Sequence, residues 1–333
     1  MSAKKNRVAA VVVTYNRLPL LQKCIESLHI QTASCDILVV NNASTDGTGP
    51  WLAAQEAAGV LMARDTGENL GGAGGFNKGI RWAVEDGYEY LWLMDDDCLP
   101  EPDALEKLLE AGRLLDGSYG WLSSVALWTD GSECKMNRQK LKKSFYEYSP
   151  LMKYGIVQAE QATFVSLFLR AETVRKFGLP IKEFFIWGDD IEYTRRVAVR
   201  GKRPCFVAGQ SQVVHAMKDN NGSSIALDAA ERINRYRYAF RNEAYTYRQE
   251  GLKGMCYYLA KCGLNICRIV VLAPDHKWKR VRVLIGSMVE GAYFRPKIEM
   301  VKRETTFKEI KTKLKRKREI NHDCTKIDIP GER

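Results

Sequence analysis

The sequence predicts an α/β fold in which a mostly parallel sheet is covered by helices on both faces. Three observations predict it. Residues 8–13, Val-Ala-Ala-Val-Val-Val, form a continuous apolar run, the pattern of a strand buried on both faces. Strand-like and helix-like segments alternate after it, as in repeated βαβ units. Polar loops follow the strands, at the carboxyl ends where such sheets collect ligands.

Leu18, Leu21, Ile25 and Leu28 recur at helical spacing and predict the first helix. Residues 36–40 read as a second buried strand, closed by the turn-forming Asn41-Asn42-Ala43-Ser44-Thr45-Asp46-Gly47. A helix over 50–58, a short strand over 60–63 and, after a glycine-rich segment, a helix over about 76–85 continue the alternation. The apolar run Tyr90-Leu91-Trp92-Leu93-Met94 then delivers Asp95, Asp96 and Asp97 to a strand end. Beyond a helix over 103–115, residues 121–128 and 162–169 read as strands flanking a polar, lysine-rich loop or hairpin lid over 130–153. Helices over 171–177 and 189–200 and a strand over 205–208 complete the pattern, with no internal repeat.

Length and composition bound the function. The 333 residues suffice for one large α/β domain with an appendage, and the expected division is 1–250 and 251–333. The nine cysteines are odd in number and scattered, with no C-x-x-C pair, so free thiols in a reducing compartment are expected and a disulfide framework or zinc site is not. No apolar signal-peptide core opens the chain, which points to a cytoplasmic location. The formal charge of +11 is segregated, because residues 1–250 carry 31 Lys+Arg and 31 Asp+Glu whereas 251–333 carry 20 and 9. The basic excess therefore belongs to the appendage and concerns an acidic surface met there.

Strand alternation places Asp95 and Asp97 on one side, where they can share a divalent cation such as Mg2+ or Mn2+, while Asp96 points elsewhere. The plainer alternative is a solvated turn entering the next helix. Asn69-Leu-Gly-Gly-Ala-Gly-Gly-Phe-Asn77 fits neither G-x-G-x-x-G nor a Walker loop. It is either a phosphate-meeting helix start, through Gly72 and its neighbours, or a helix–sheet packing turn. Asn16 and Asp46 sit where a base or ribose can be bound, or simply form turns. In Trp187-Gly188-Asp189-Asp190-Ile191-Glu192, one acid can cap a helix, and a second beside Trp187 suits a partly desolvated general base. His215 ends Gln212-Val213-Val214-His215 and is either a core residue or a third metal ligand.

Taken in order, Val11-Val-Val-Thr-Tyr-Asn-Arg17, the Asn41–Thr48 loop, the glycine-rich segment, Asp95-Asp-Asp97 and Trp187-Gly-Asp-Asp190 resemble the inverting family 2 glycosyltransferases of the GT-A fold, over about residues 7–220. The resemblance implies that Thr14, Tyr15, Arg17, Asn42 and Asp46 contact a uridine or thymidine nucleoside. It also implies that Asn69, Gly72, Asn77, Asp96 and Trp187 line the donor, and that Asp95 and Asp97 bind a metal bridging its diphosphate. Galactofuranosyltransferase-like members further imply His215 as metal ligand and Asp190 as base, 25 residues apart. The inserted Gly188 leaves Asp189 as the alternative base. UDP-galactofuranose is the donor the glycine-rich segment most resembles, with dTDP-rhamnose close behind. A saccharide or a polyprenyl-diphosphate-linked acceptor in cell-surface polysaccharide synthesis follows from the same resemblance.

The appendage begins with an apolar, aromatic stretch over 254–274, interrupted by Lys261, Asn265 and Arg268, which reads as an in-plane amphipathic helix rather than a membrane span. With Lys277–Arg282 and Lys311–Arg318 it suits an anionic membrane surface, each cation near that surface contributing about 1 kcal/mol. A helical appendage that pairs subunits in a homo-oligomer is the alternative. Sugar-nucleotide pyrophosphorylases would need a Gly-rich basic loop where Thr14-Tyr15-Asn16-Arg17 stands, and no nucleic-acid-binding motif accompanies the basic tail.

Overall fold

The computed structural model describes residues 7–144 and 146–301. Lys311–Arg318, expected to meet an anionic surface, lie outside the described residues. Strand β1 (Val8–Thr14) is buried at every position and sits inside the sheet. It pairs in parallel with β2 (Asp36–Asn41) and β4 (Tyr90–Asp95), and β2 pairs in parallel with β3 (Met62–Asp65). Between them run α1 (Leu18–His29), α2 (Thr48–Ala57) and α3 (Gly71–Glu85). Helix α1 begins with a proline in its first turn and buries Leu21, Cys24, Ile25 and Leu28, one stripe at helical spacing.

The second half of the sheet is mixed. After β5 (Cys98–Pro100) and α4 (Ala104–Leu114) come β6 (Leu122–Leu127), the short β7 (Lys140–Leu141), β8 (Ile156–Gln161) and β9 (Leu167–Arg170). Helices α5 (Ala171–Phe177) and α6 (Asp189–Arg195) precede the long β10 (Phe206–His215). Strand order is β3-β2-β1-β4-β9-β6-β10-β8-β7, with β9 antiparallel to both β4 and β6 and β10 parallel to β6. Two apolar clusters cover the two faces of this sheet, one centred on Trp92, Leu21 and Phe168 and the other on Phe76, Leu93 and Trp121.

Three expectations change. Residues 162–169 are not one strand, because β9 starts only at Leu167 and the preceding strand, β8, lies earlier. The stretch 130–153 is mainly loop and 3-10 turns with only the two-residue β7, and it carries Asn137 into the interior. The third helix begins at Gly71, five residues before the expected start, so the glycines are part of it.

The C-terminal part is a helical layer. Helix α7 (Tyr236–Arg248) packs against α8 (Gly251–Leu272) and α9 (Lys277–Tyr293), around an apolar cluster of Tyr236, Phe240, Tyr258, Ile269 and Leu284. The fully buried Arg280 of α9 donates to the carbonyls of Ile225 at 2.7 Å and Asp228 at 2.9 Å and pairs with Asp275, tying α9 to the preceding loop.

Candidate active site

The parallel strands end together, and the polar residues of the site lie at those ends. Strand β4 finishes at Asp95, and the chain turns through Asp96 and Asp97 into β5. Antiparallel pairing of β5 with β10 sets Cys98 opposite His215, and the Ala216 N–H donates to the Asp97 carbonyl at 2.8 Å. This register brings His215 to acids 118 residues away, with its Nε2 3.0 Å from Asp97 Oδ1. One ligand atom each from Asp95, Asp97 and His215 falls within 4.8 Å of the other two. Two carboxylates and an imidazole at that separation fit a divalent cation that keeps positions open for phosphate oxygens.

Electrostatics match the grouping. Burial and then the Asp97 charge push the Asp95 carboxyl up to about 7. Asp97 moves the other way: burial alone would raise it, but the His215 hydrogen bond, with His215 and Arg17 as positive neighbours, holds it below its ordinary value. For His215 burial works downward and is outweighed by Asp97 and Cys134, so the imidazole is raised to about 10.

Asn137 is the residue that sequence reasoning missed. Its Nδ2 donates to Thr163 Oγ1 at 2.8 Å, which turns its Oδ1 toward His215 Nδ1, 2.7 Å away. That contact sets the imidazole so that Nε2 faces Asp97. No local pattern in the lysine-rich stretch announces this role, since the pairing depends on β10 and the 135–137 turn meeting in space.

Asp96 lies in the turn after β4 and has partners of its own. Its Oδ2 accepts from Thr14 Oγ1 at 2.7 Å, and Arg17 Nη1 donates to Asp97 Oδ2 at 2.7 Å and reaches Asp96 Oδ1 at 3.3 Å. Burial pushes Asp96 up to about 6. Thr14 is buried, whereas Tyr15 is exposed beside it. Asp46 serves the loops: its carboxylate accepts from the Leu18 N–H at 3.1 Å and from Thr48 Oγ1 at 2.6 Å. Asn16 likewise accepts from the Thr45 N–H at 2.6 Å, so the turn-forming reading of both side chains describes these contacts. Asn42 is buried and donates to the Gly71 carbonyl at 2.8 Å, tying β2 to the start of α3.

The glycine-rich segment is mainly a packing device. A Cβ on Gly75 would lie 2.5 Å from Val13 Cγ1, so α3 approaches β1 only because that position has no side chain. Asn77 is buried and donates to the Pro180 carbonyl at 2.8 Å. Gly72 alone has open space around its Cβ position among Gly71, Gly72, Gly74 and Gly75, and Asn69 is exposed beside it, accepting from the Gly71 N–H at 2.9 Å.

The loop before α6 meets this helix start. The Ala73 N–H donates to the Phe185 carbonyl at 3.2 Å, and Gly71, at φ 68°, lies so near that a Cβ there would sit 2.0 Å from the same oxygen. Phe185 and Trp187 both have positive φ, at 63° and 65°, an arrangement that persists only when the surroundings enforce it. Asn242 of α7 supplies that enforcement. It is fully buried, and its Nδ2 donates to the carbonyls of Phe184 at 3.0 Å and Trp187 at 2.8 Å, while Arg241 Nη2 donates to the Glu183 carbonyl at 2.7 Å. Gly188, at φ 86°, opens α6, and the inserted glycine supplies the left-handed turn before the acids.

Asp189 and Asp190 occupy the first turn of α6. Asp189 is buried and is raised well above the ordinary carboxylate range by that burial, by Asp190 and further by Asp95. Asp190 is partly open, accepts from the Ile191 N–H at 2.6 Å and is pushed up to about 6 by burial. Glu192 faces the interior, where it pairs with Arg196 and Arg200, so it anchors the helix and not a substrate. Trp187 packs on Tyr236 with ring centroids 5.0 Å apart.

Comparison with known proteins finds a matching family and similar chains. The family model described as Glycosyl transferase family 2 matches residues 9–113. An undecaprenyl-phosphate mannosyltransferase of Micrococcus luteus is 31% identical over 203 residues, 59% of this chain and 80% of that protein. A galactofuranosyltransferase of Mycolicibacterium smegmatis is 25% identical over 260 residues, 74% of this chain and 84% of that protein. Among solved structures, a mannosyltransferase from Pyrobaculum calidifontis in complex with GDP-Man and Mn2+ superposes with a TM-score of 0.54, covering 87% of this chain and 88% of the other. Its 17% identity makes that a likeness of fold.

Proposed function

The chain belongs to glycosyl transferase family 2 and is a nucleotide-sugar-dependent glycosyltransferase of GT-A fold, and from that premise we propose that it transfers a galactofuranosyl unit from UDP, with inversion at the anomeric carbon, to a saccharide or lipid-linked saccharide acceptor. The observation that carries the reading is the convergence of Asp95, Asp97 and His215 at the strand ends, with the Asp189-Asp190 pair near enough for Asp95 to act on Asp189. Asp190 is the base of the proposal. Its partial exposure lets an acceptor hydroxyl reach it, and a carboxylate raised to about 6 is ionised at neutral pH yet more basic than a free one.

In a single displacement the acceptor oxygen loses its proton to Asp190 as it attacks the anomeric carbon, and the bond to the nucleoside diphosphate breaks on the opposite side. A divalent cation held by Asp95, Asp97 and His215 supplies positive charge for the departing diphosphate when bound. Asn137 orients His215, Arg17 adds a cation beside Asp96 and Asp97, and the open first turn of α3 offers the Gly72 N–H to the donor. Thr14, Tyr15 and Asn42 lie around the nucleoside end of this cleft in the proposal.

The donor rests on likeness to the galactofuranosyltransferase over 74% of the chain, together with the glycine-rich segment. dTDP-rhamnose is its closest rival on that segment. Mannosyl transfer onto a polyprenyl phosphate is a further reading, favoured by the 31% identity to the Micrococcus luteus protein. A lipid-linked acceptor places the reaction at the cytoplasmic membrane surface. The test is turnover of UDP-galactofuranose, dTDP-rhamnose and GDP-mannose by purified protein with Mn2+, Mg2+ or EDTA. Metal-dependent turnover of UDP-galactofuranose supports the proposal, preference for another donor replaces the sugar while keeping the chemistry, and absence of turnover and nucleotide binding on every donor overturns it.

A further inference from the structure

We infer that α8, together with the start of α9, seats in the plane of an anionic lipid bilayer. Helix α8 contains no Asp or Glu over its 22 residues. It buries only one stripe, Gly254, Tyr258, Cys262 and Ile269, against the rest of the helical layer. The opposite side is apolar and open: Leu252 is 80% exposed, Leu264 51% and Val271 75%. A helix this apolar and this exposed has an unmatched face, since isolated exposed apolar residues are ordinary but a continuous apolar side is not.

Charge selects the occupant. The exposed cations on and beside this face are Lys253, Arg268, Lys277, Lys279 and Arg282, with Trp278, 86% exposed, among them. The acids of the hairpin are engaged, Asp275 with Arg280 and Glu290 with Arg237 and Arg241. A second copy docking the same face against itself would set these cations against one another. An anionic bilayer offers the complementary sign and accepts the apolar side chains and the tryptophan at its interface.

Packing selects the orientation. By length and composition Gly251–Leu272 is sufficient to cross a membrane, despite Lys261 and Arg268. The objection to crossing is instead tertiary. Tyr258 donates to the Phe240 carbonyl at 3.1 Å, and Lys261 pairs with Glu243 at 2.6 Å, both partners on α7. Crossing would strip those groups into hydrocarbon, whereas lying in the plane keeps them paired. The same α7 holds the 184–187 loop through Asn242, so the seated helix and the loop before Asp190 share one support.

The test reads lipid binding and is independent of any donor sugar. The full chain is floated with phosphatidylcholine vesicles with and without phosphatidylglycerol, at low and high salt. Flotation only with phosphatidylglycerol and release by salt are expected. The double substitution Leu264→Asp, Val271→Asp leaves every cation in place and should lower the bound fraction roughly tenfold, with circular dichroism and melting temperature retained. A dye on the exposed Cys267 should be quenched by lipid-borne quenchers near the headgroups. Unchanged flotation of the folded double variant would overturn the inference. So would resistance of the bound chain to carbonate extraction, which means crossing, or a wild-type dimer that the double variant converts to monomer, which means the face belongs to a second copy.

Discussion

Asp189 and Asp190 are neighbours in sequence with unlike surroundings, and that difference decides their chemistry. Asp189 is enclosed and held well above the carboxylate range, whereas Asp190 keeps a path to solvent and a value near 6. Asp190→Asn should therefore lower kcat by roughly 10²–10⁴-fold, while Asp189→Asn should act mainly on stability. The pH profile follows from the direction of the shift. A raised carboxylate is protonated as pH falls through about 6, so kcat/KM should fall below that pH, and a rate flat down to pH 5 would be inconsistent with the assignment. Asn137 makes a second prediction at this scale. Asn137→Ala frees the imidazole of His215 and should weaken Mn2+ binding roughly 10–100-fold, read by Mn2+ titration without substrate. Aspartates at a strand end were legible in the sequence because strand alternation and apolar patterning are local. Asn137 was not, because its partner lies 78 residues away at the end of β10.

At the scale of elements, α3 and the 183–188 loop are fitted to each other. Gly71 permits the contact with Phe185 both by its positive φ and by lacking a Cβ. Gly71→Ala should push the loop away and reduce turnover even where the melting temperature changes little, because the displaced segment leads into Asp190. Asn242→Ala removes the donor that three loop carbonyls share. The expected cost is about 1–3 kcal/mol of stability together with a lower kcat, measured by denaturant unfolding and by kinetics; rescue of kcat by Asn242→Gln would argue for a positioning role. The glycine-rich segment shows how an ambiguous pattern resolves. Four glycines near a helix start read equally as phosphate loop or packing surface, and contact with Val13 assigns Gly75 to packing while Gly72 remains open.

Across the whole molecule, a Rossmann-like sheet presents the acids and a helical layer braces the loop that faces them. Arg280 joins α9 to the 225–228 loop from a fully buried position, so Arg280→Ala should destabilise the chain by about 1–3 kcal/mol, since it takes the donor from the Ile225 and Asp228 carbonyls. A change of that size is visible as a lower denaturation midpoint. By itself the sequence determined the α/β class, the early strands and helices, the acids at the end of β4, the segregated basic charge and the family, because these are carried by local periodicity and short ordered motifs. Only the tertiary structure decided that β10 runs far enough to deliver His215, that the far half of the sheet is mixed, and which groups brace the 183–188 loop. Those depend on pairing register and on contacts between residues far apart in the chain, and neither is encoded in the spacing of any one segment.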